Sequence, residues 1–460
     1  MKTLLAILGA FAAALGALGA TGAIGAMLAA QERAALTYAI TNARIVPVSG
    51  APIDNGTIVF RNGLIAQVGA GVSPPAAAVV IEGKGLTVYP GLIDMGSTAG
   101  VDMPAAPRAD NPRTTEEIER AKRALLIRPQ LDAAEHVDPT AQALARSAAA
   151  GITTILATPS GDAIRGQSAL VNTSPGPDAP QIGGLADDRR GQLVVKAPVA
   201  LHVSFAERPS GGNAYPVSLM GVIAFVRQAF LDAQYQQAAL QHYEKSKARG
   251  PRPPYDPALD AMQPALEGSM PVAFEAEAAR QILRALDMAK TFKLNPIITN
   301  GREADRVTAD LKAANARVIL SLNYPTRPQA LAPDADEPLQ TLRDRANAPK
   351  TAAALDKAGV SFAFASAGLS DPKDFVKNAA KAVQNGLSRE RAVRALTLGA
   401  ATIAGAEDRL GSLESGKIAN LVVTEGDLFD EKMTVKHVFV DGKPVTLDLP
   451  APAKPTQPRP

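Results

Sequence analysis

Apolar and polar residues alternate in two short stretches near opposite ends of the chain, and the alternation predicts β-hairpins. Thr57-Ile58-Val59-Phe60-Arg61 and Leu64-Ile65-Ala66-Gln67-Val68 flank Asn62-Gly63, a pair suited to the two left-handed positions of a type I′ turn. Val435-Lys436-His437-Val438-Phe439-Val440 leads in the same way into Asp441-Gly442 and Lys443-Pro444-Val445. Between these ends, short apolar β-type runs take turns with helical stretches, which is the pattern of a parallel α/β fold. The candidate strands are residues 91–95, 152–157, 199–205, 271–276, 296–299, 318–322 and 361–365.

The helical stretches carry their own signals. Across residues 277–292, Ile282, Leu283, Leu286 and Ala289 recur at helical spacing, with Arg280, Arg284 and Lys290 on other faces. Residues 218–247 predict a long helix, apolar at first and then polar through Gln236, Gln237, Gln241 and Glu244, and Pro251-Arg252-Pro253-Pro254 closes it. Ser388 is a candidate N-cap for a helix over 389–396.

With 460 residues and 46% hydrophobic content, the chain is long enough for one large domain plus a smaller one. The net charge of +3 is unclustered, Trp is absent, and no basic stripe is interleaved with aromatics. Nucleic acid is therefore excluded as a partner. There is no Cys, hence no disulfide framework, thiolate metal site or lipobox cysteine. Lys2 precedes an uncharged Leu/Ala/Gly run that ends before Glu32, and residues 1–30 are read as a secretory signal. The expected location is outside the cytoplasm, in the periplasm; the competing reading is a membrane anchor, because the run is long enough to span a bilayer. Residues 448–460 are expected to be a Pro-rich tail.

Four blocks carry a family resemblance. The first runs from Asn42-Ala43-Arg44-Ile45 through Gly83 and closes on Val88-Tyr89-Pro90-Gly91-Leu92-Ile93-Asp94. The second is Gly151-Ile152-Thr153-Thr154 with Ile164-Arg165-Gly166-Gln167-Ser168-Ala169, and the third is Ala392-Val393-Arg394-Ala395-Leu396-Thr397, running to Ala401. The last is Arg409-Leu410-Gly411-Ser412-Leu413-Glu414-Ser415-Gly416-Lys417-Ile418-Ala419-Asn420-Leu421-Val422-Val423, with Asn420 where the family usually has Asp. On these blocks the chain resembles the amidohydrolase superfamily, in particular its exported imidazolonepropionase-like members. The resemblance implies a TIM-type (β/α)8 barrel over residues 91–407 with its site at the C-terminal strand ends. It also implies a small β-sandwich domain built from both chain ends, residues 37–90 and 408–447, since neither segment has enough strands to bury a core alone.

The family holds one or two divalent metals such as zinc, which lower the pKa of bound water to about 7. Its ligands are a His-x-His pair on the first strand, Lys or Glu on the fourth, His on the fifth and sixth, and Asp on the eighth. Here Gly96 and Thr98 stand at the His-x-His positions, and His202 stands at the fourth, with Lys196 as a rival alignment. Glu275 stands at the fifth, Asn300 at the sixth and Ala367 at the eighth. Only His202 and Glu275 could ligate a metal well, and two ligands do not make a zinc site. No metal cofactor is expected. His202 and Glu275 are the candidate catalytic pair, or else a buried ion pair filling the former metal cavity. That pair is expected to lie close enough to interact directly or through water, with the carboxylate favouring a protonated imidazole.

The other histidines, His136, His242 and His437, read as surface or packing residues, and Lys196 equally as a ligand-binding charge or a solvated one. Ser160 lacks a nucleophile-elbow frame, residues 161–166 lack the Lys of a phosphate-binding loop, and Arg302 reads either as meeting an anionic ligand near the barrel mouth or, equally or better, as pairing with Glu303 or Asp305. The expectation is a non-catalytic, ligand-binding or partner subunit that takes a small molecule and pairs with an intact relative or with itself. The alternative is a hydrolase of non-peptide or dipeptide-like C–N bonds with an atypical site using His202 and Glu275. An ordinary binuclear hydrolase does not fit the residues at the ligand positions.

Overall fold

The computed structural model describes residues 37–105, 113–161, 163–173, 193–205, 216, 218–246, 250–328, 330–332 and 334–449. The expected signal lies outside them, as does most of the expected tail. Among the described residues no helix is long and apolar enough to cross a membrane.

The fold is mixed α/β, with three sheets among the described residues. The N-terminal segment supplies β1 (Thr37–Ile45), β2 (Ile53–Arg61), β3 (Leu64–Gly69), β4 (Val79–Glu82) and β5 (Leu86–Pro90). The middle supplies β6 (Leu92–Ser97), β7 (Ile152–Ala157), β8 (Ile164–Gln167), β9 (Ala169–Asn172), β10 (Val194–Lys196) and β11 (Leu201–Ser204). It continues with β12 (Val272–Ala276), β13 (Pro296–Asn300), β14 (Arg317–Ser321) and β15 (Phe362–Ala365), and the far end adds β16 (Leu421–Glu425), β17 (Thr434–Val440) and β18 (Lys443–Pro444).

Both predicted hairpins form. Asn62 and Gly63 take φ of 54° and 78°, and Asp441 and Gly442 take 52° and 70°, the positive values a type I′ turn demands. The two chain ends meet in one sheet of order β18-β17-β16-β5-β1-β2-β3, where β16 runs antiparallel to β5 and pairs Leu421 with Pro90. The sheet curls far enough for Phe60 of β2 to pack edge-on against Phe439 of β17, with centroids 4.8 Å apart and Tyr38 beside both. Ile40, Ile58, Val88, Leu421 and Val423 complete this separate core.

All seven strands expected in the middle are present, within two residues at each end. The order β15-β14-β13-β12-β11 is parallel throughout, β6 is parallel to β7, and β8, β9 and β10 join antiparallel. The segment carrying β8, β9 and β10 departs from a strict β/α alternation and was not predicted from the pattern. Its strands are only three or four residues long, too short to show a period.

The central strands are buried on both faces, which is why they read as continuous apolar runs. Ile93, Met95, Leu156, Ala273, Ile297, Ile319 and Ala363 share one inner core. Their neighbours Leu92, Ile155, Val272, Phe274, Ile298, Val318 and Phe362 face the larger core under the helices. The helix expected over 277–292 is found at Ala279–Phe292, burying Ile282, Ala285, Leu286 and Ala289. The long helix spans Leu219–Lys245 with Ser218 as N-cap, and the Ser388 hydroxyl caps Arg389–Leu396 by accepting from the Arg391 amide at 3.2 Å.

Two residues join the terminal sheet to the central strands. Gly91 has no room for a side chain, since an added Cβ would lie 2.0 Å from Thr153 Oγ1, and its amide donates to the Asn420 carbonyl at 2.7 Å. Buried Asn420 donates through Nδ2 to Thr154 Oγ1 at 3.0 Å and Asn172 Oδ1 at 2.8 Å, while its Oδ1 accepts from the Asp441 amide at 2.8 Å. An amide suits this place better than the family's Asp, because two of its three partners are oxygens that need a donor. Replacing Asn420 with Ala strands several buried polar groups and should cost about 3 kcal/mol, seen in urea unfolding as a lower midpoint with unchanged slope. An unchanged midpoint would show that this junction is not held by the amide.

Candidate functional site

The C-terminal ends of the central strands bring together most of the positions singled out in the sequence. Gly96 lies at the end of β6, Glu275 near the end of β12 and Asn300 at the end of β13, with Ala367 two residues beyond β15. Asn300 and Ala367 take φ of 70° and 42°, turning the chain out of the strands. The Ala367 amide donates to the Gly96 carbonyl at 3.2 Å, and a Cβ on Gly96 would stand 3.0 Å from that of Ala365. Thr98 is exposed beyond β6.

Asp94 ties these strand ends together. Fully buried, it accepts at Oδ1 from the Ser366 amide at 2.8 Å and the Gly96 amide at 3.1 Å. Burial raises its pKa, and the hydrogen bonds from Ser366 and Gly96 act in the opposite direction.

Glu275 is the centre of the site. Its Oε2 accepts from the Arg165 guanidinium of β8 and from Ser204 Oγ at 2.8 Å, and its Oε1 accepts from Asn300 Nδ2 at 3.2 Å. No direct hydrogen bond joins Glu275 to His202 among the described residues. The parallel register of β11 and β12 sets Ser204 opposite Glu275 and His202 opposite Ala273, one side-chain layer deeper. His202 is buried, and its Nε2 has no hydrogen-bond partner among the described residues. Burial first, and the Arg165 charge second, push its pKa down to about 3, so the imidazole is neutral and the expected imidazolium–carboxylate pair is corrected. The carboxylate's counter-charge is Arg165.

The remaining candidates resolve separately. Lys196 Nζ donates to the Ala404 and Gly405 carbonyls at 3.0 and 2.9 Å, closing the end of the helix Leu398–Ala404 rather than reaching the strand mouths. Arg302 pairs with Glu277 at 2.8 Å, not with Glu303 or Asp305, and Glu303 pairs with Arg306 instead. His136 ends a short 3-10 turn, His242 sits on the long helix and His437 is half-buried in β17.

A cavity of about 120 Å³ opens beside Asn300 and Ala367, with Glu277, Arg302, Ser321 and Tyr324 among its lining residues. Burial raises the Tyr324 pKa, so its hydroxyl stays protonated. The charged pair and the amide and hydroxyl groups make the cavity suited to a small polar ligand. Arg165, Ser204 and Tyr324 escaped the sequence reading. Arg165 was visible only as part of a family block, and Ser204 needed the register of two strands that are distant in sequence.

The residues do not fit a catalytic divalent metal. Among the described residues no three His, Cys, Asp or Glu side chains converge. Gly96 and Ala367 offer no side-chain donor, and both Glu275 oxygens already accept hydrogen bonds.

Comparison with known proteins places this geometry. The sequence model of the amidohydrolase family matches residues 263–445. A crystal structure of an amidohydrolase from Thermotoga maritima MSB8 superposes with a TM-score of 0.72 at 24% identity, covering 89% of this chain and 99% of that one. A putative prolidase from Bifidobacterium longum gives 0.51 at 17% identity, covering 89% and 94%. A Xaa-Pro dipeptidase with bound methionine in its active site gives 0.50 at 16%, covering 89% and 99%. No curated protein matches the sequence significantly. The resemblance to the amidohydrolase superfamily is borne out, in sequence over residues 263–445 and in fold over most of the chain.

Two outcomes follow from the site. Glu275→Gln removes the charge facing a half-buried guanidinium and should cost about 1–3 kcal/mol of stability, measurable by chemical unfolding; a neutral result would show that solvent screens the pair. His202 has a folded pKa of about 3 against 6.5 for the free side chain, so the unfolded chain takes up a proton that the folded one refuses. Its contribution is fully present above pH 6.5 and is lost as pH falls from 6.5 towards about 3. His202→Leu should be neutral or stabilising near pH 7, because it removes an unsatisfied nitrogen. It should also flatten the loss of stability between about pH 6.5 and pH 5 by roughly 2 kcal/mol. Equal pH slopes in the two proteins would contradict the neutral, buried imidazole.

Proposed function

We propose that this protein is a non-hydrolytic member of the amidohydrolase superfamily, in which a guanidinium–carboxylate pair stands where relatives hold a metal. The observation that carries this reading is the occupancy of Glu275, whose two oxygens are taken by Arg165, Ser204 and Asn300. A carboxylate so engaged is a poor general base, and His202 lies one side-chain layer below it with its basicity lowered by burial. The role is binding a small polar ligand at the strand mouths, as a subunit that assembles with an intact relative or with a second copy of itself. The central strands close into a TIM-type barrel, a reading supported by the Ser366–Asp94 and Ala367–Gly96 hydrogen bonds between the ends of β15 and β6. The curled terminal sheet serves as the accompanying β-sandwich. The basic start and apolar run of residues 1–30 support export to the periplasm.

The second reading, hydrolysis of a C–N bond in a dipeptide-like substrate, draws on the prolidase and Xaa-Pro dipeptidase among the fold relatives. One experiment separates the two. Purified protein is dialysed, its zinc, manganese and iron are measured, and prolyl dipeptides, acylated amino acids and cyclic amides are offered with and without chelator. The proposal expects well under one metal per chain and no turnover above background. Near-stoichiometric metal, or turnover abolished by Glu275→Gln, would establish the hydrolase instead.

A further inference from the structure

At the opposite ends of the same strands lies a second cavity, of about 230 Å³, and its charge is one-sided. Arg317 opens β14, Ser361 directly precedes β15, and Arg391 and Arg394 project from the helix Arg389–Leu396. Phe362 and Ile403 form an apolar wall beside them. We propose that this cavity binds a small organic polyanion, one that presents two or more phosphoryl or carboxylate oxygens to the three guanidinium groups.

The bonding of each arginine supports this assignment. Arg317 is half-buried and donates to Asn295 Oδ1 at 2.8 Å and to the Ile403 carbonyl at 3.4 Å. Both partners are neutral, so the guanidinium is held in place without being neutralised. Arg391 meets Asp356 through Nε alone, and its terminal nitrogens form no hydrogen bond with the described residues. Arg394 has no side-chain hydrogen bond or carboxylate partner among the described residues, although it too is half-buried. Three positive groups thus face one carboxylate. Holding such charge partly out of water is costly unless an anion answers it, and the guanidinium fork matches planar or tetrahedral oxyanions in bidentate fashion. The apolar wall also suits the carbon frame of an organic ligand that carries such oxygens. The cavity belongs to the N-terminal ends of the strands and shares no residue with the Glu275 site.

Calorimetric titration of the purified full chain with pyrophosphate and with citrate, at constant ionic strength, tests the proposal. Saturable binding of one anion per chain is expected, weakened at least about tenfold in Arg394→Gln, where one charge-assisted contact is lost. Arg394 has no partner to strand, so this variant should fold even if Arg317→Gln does not. Arg146→Gln, a surface change of equal charge at the helix Gln142–Ala149, should bind as the unaltered protein does. Tighter binding of pyrophosphate would identify a phosphoryl ligand, and tighter binding of citrate a polycarboxylate. The absence of saturable heat with both anions, or equal weakening in Arg146→Gln and Arg394→Gln, would overturn the proposal.

Discussion

The arrangement of the strand mouths depends on one charge pair, Arg165 with Glu275. A carboxylate half-withdrawn from water requires a counter-charge, and in a metal-dependent hydrolase that charge is the metal itself. Here it comes from β8, a short antiparallel strand beside β11, so the charge is covalently part of the fold. Ser204 and Asn300 complete the carboxylate's hydrogen bonds from the strands on either side. A guanidinium differs from a metal in a way that matters for chemistry. It donates protons but has no coordination position in which water could be acidified. On the proposed reading, the pair orders a pocket and attracts a polar ligand without generating hydroxide.

The strand ends around this pair are held together by short backbone and side-chain hydrogen bonds. At Gly96, β6 and the segment after β15 approach until the Ala367 amide bonds to the Gly96 carbonyl and Asp94 accepts from the Ser366 and Gly96 amides. A side chain at position 96 would press against Ala365. His202 Nε2 has no polar partner among the described residues, and burial keeps the imidazole neutral. At the other boundary of the central strands, Asn420 fastens the two-ended sheet with donors where an acidic residue would repel Asn172 Oδ1.

Much of this fold was legible in the sequence because its signals are local. Asn62-Gly63 and Asp441-Gly442 specify their turns by backbone chemistry, and apolar runs such as 152–157 mark strands buried on both faces. The site was less legible. Motif frames located Gly96, Glu275, Asn300 and Ala367 at the strand ends, but side-chain partners depend on register between strands that are far apart in sequence. A shift of two residues along β11 exchanges His202 for Ser204 as the neighbour of Glu275. Arg165 could not be placed at all, since β8 is four residues long and carries no periodicity. Arg302 shows the same limit, because its partner Glu277 arrives from a different strand end.

A zinc titration of the metal-free protein tests most directly whether Arg165 fills the electrostatic role of a metal. Unaltered protein and Arg165→Ala are compared by calorimetry at neutral pH. If Arg165 supplies the counter-charge, the unaltered chain binds no zinc tightly. Any gain in zinc affinity should appear only in Arg165→Ala, where Glu275 is left without its counter-charge. Tight, stoichiometric zinc binding by the unaltered protein that disappears in Glu275→Gln would contradict it.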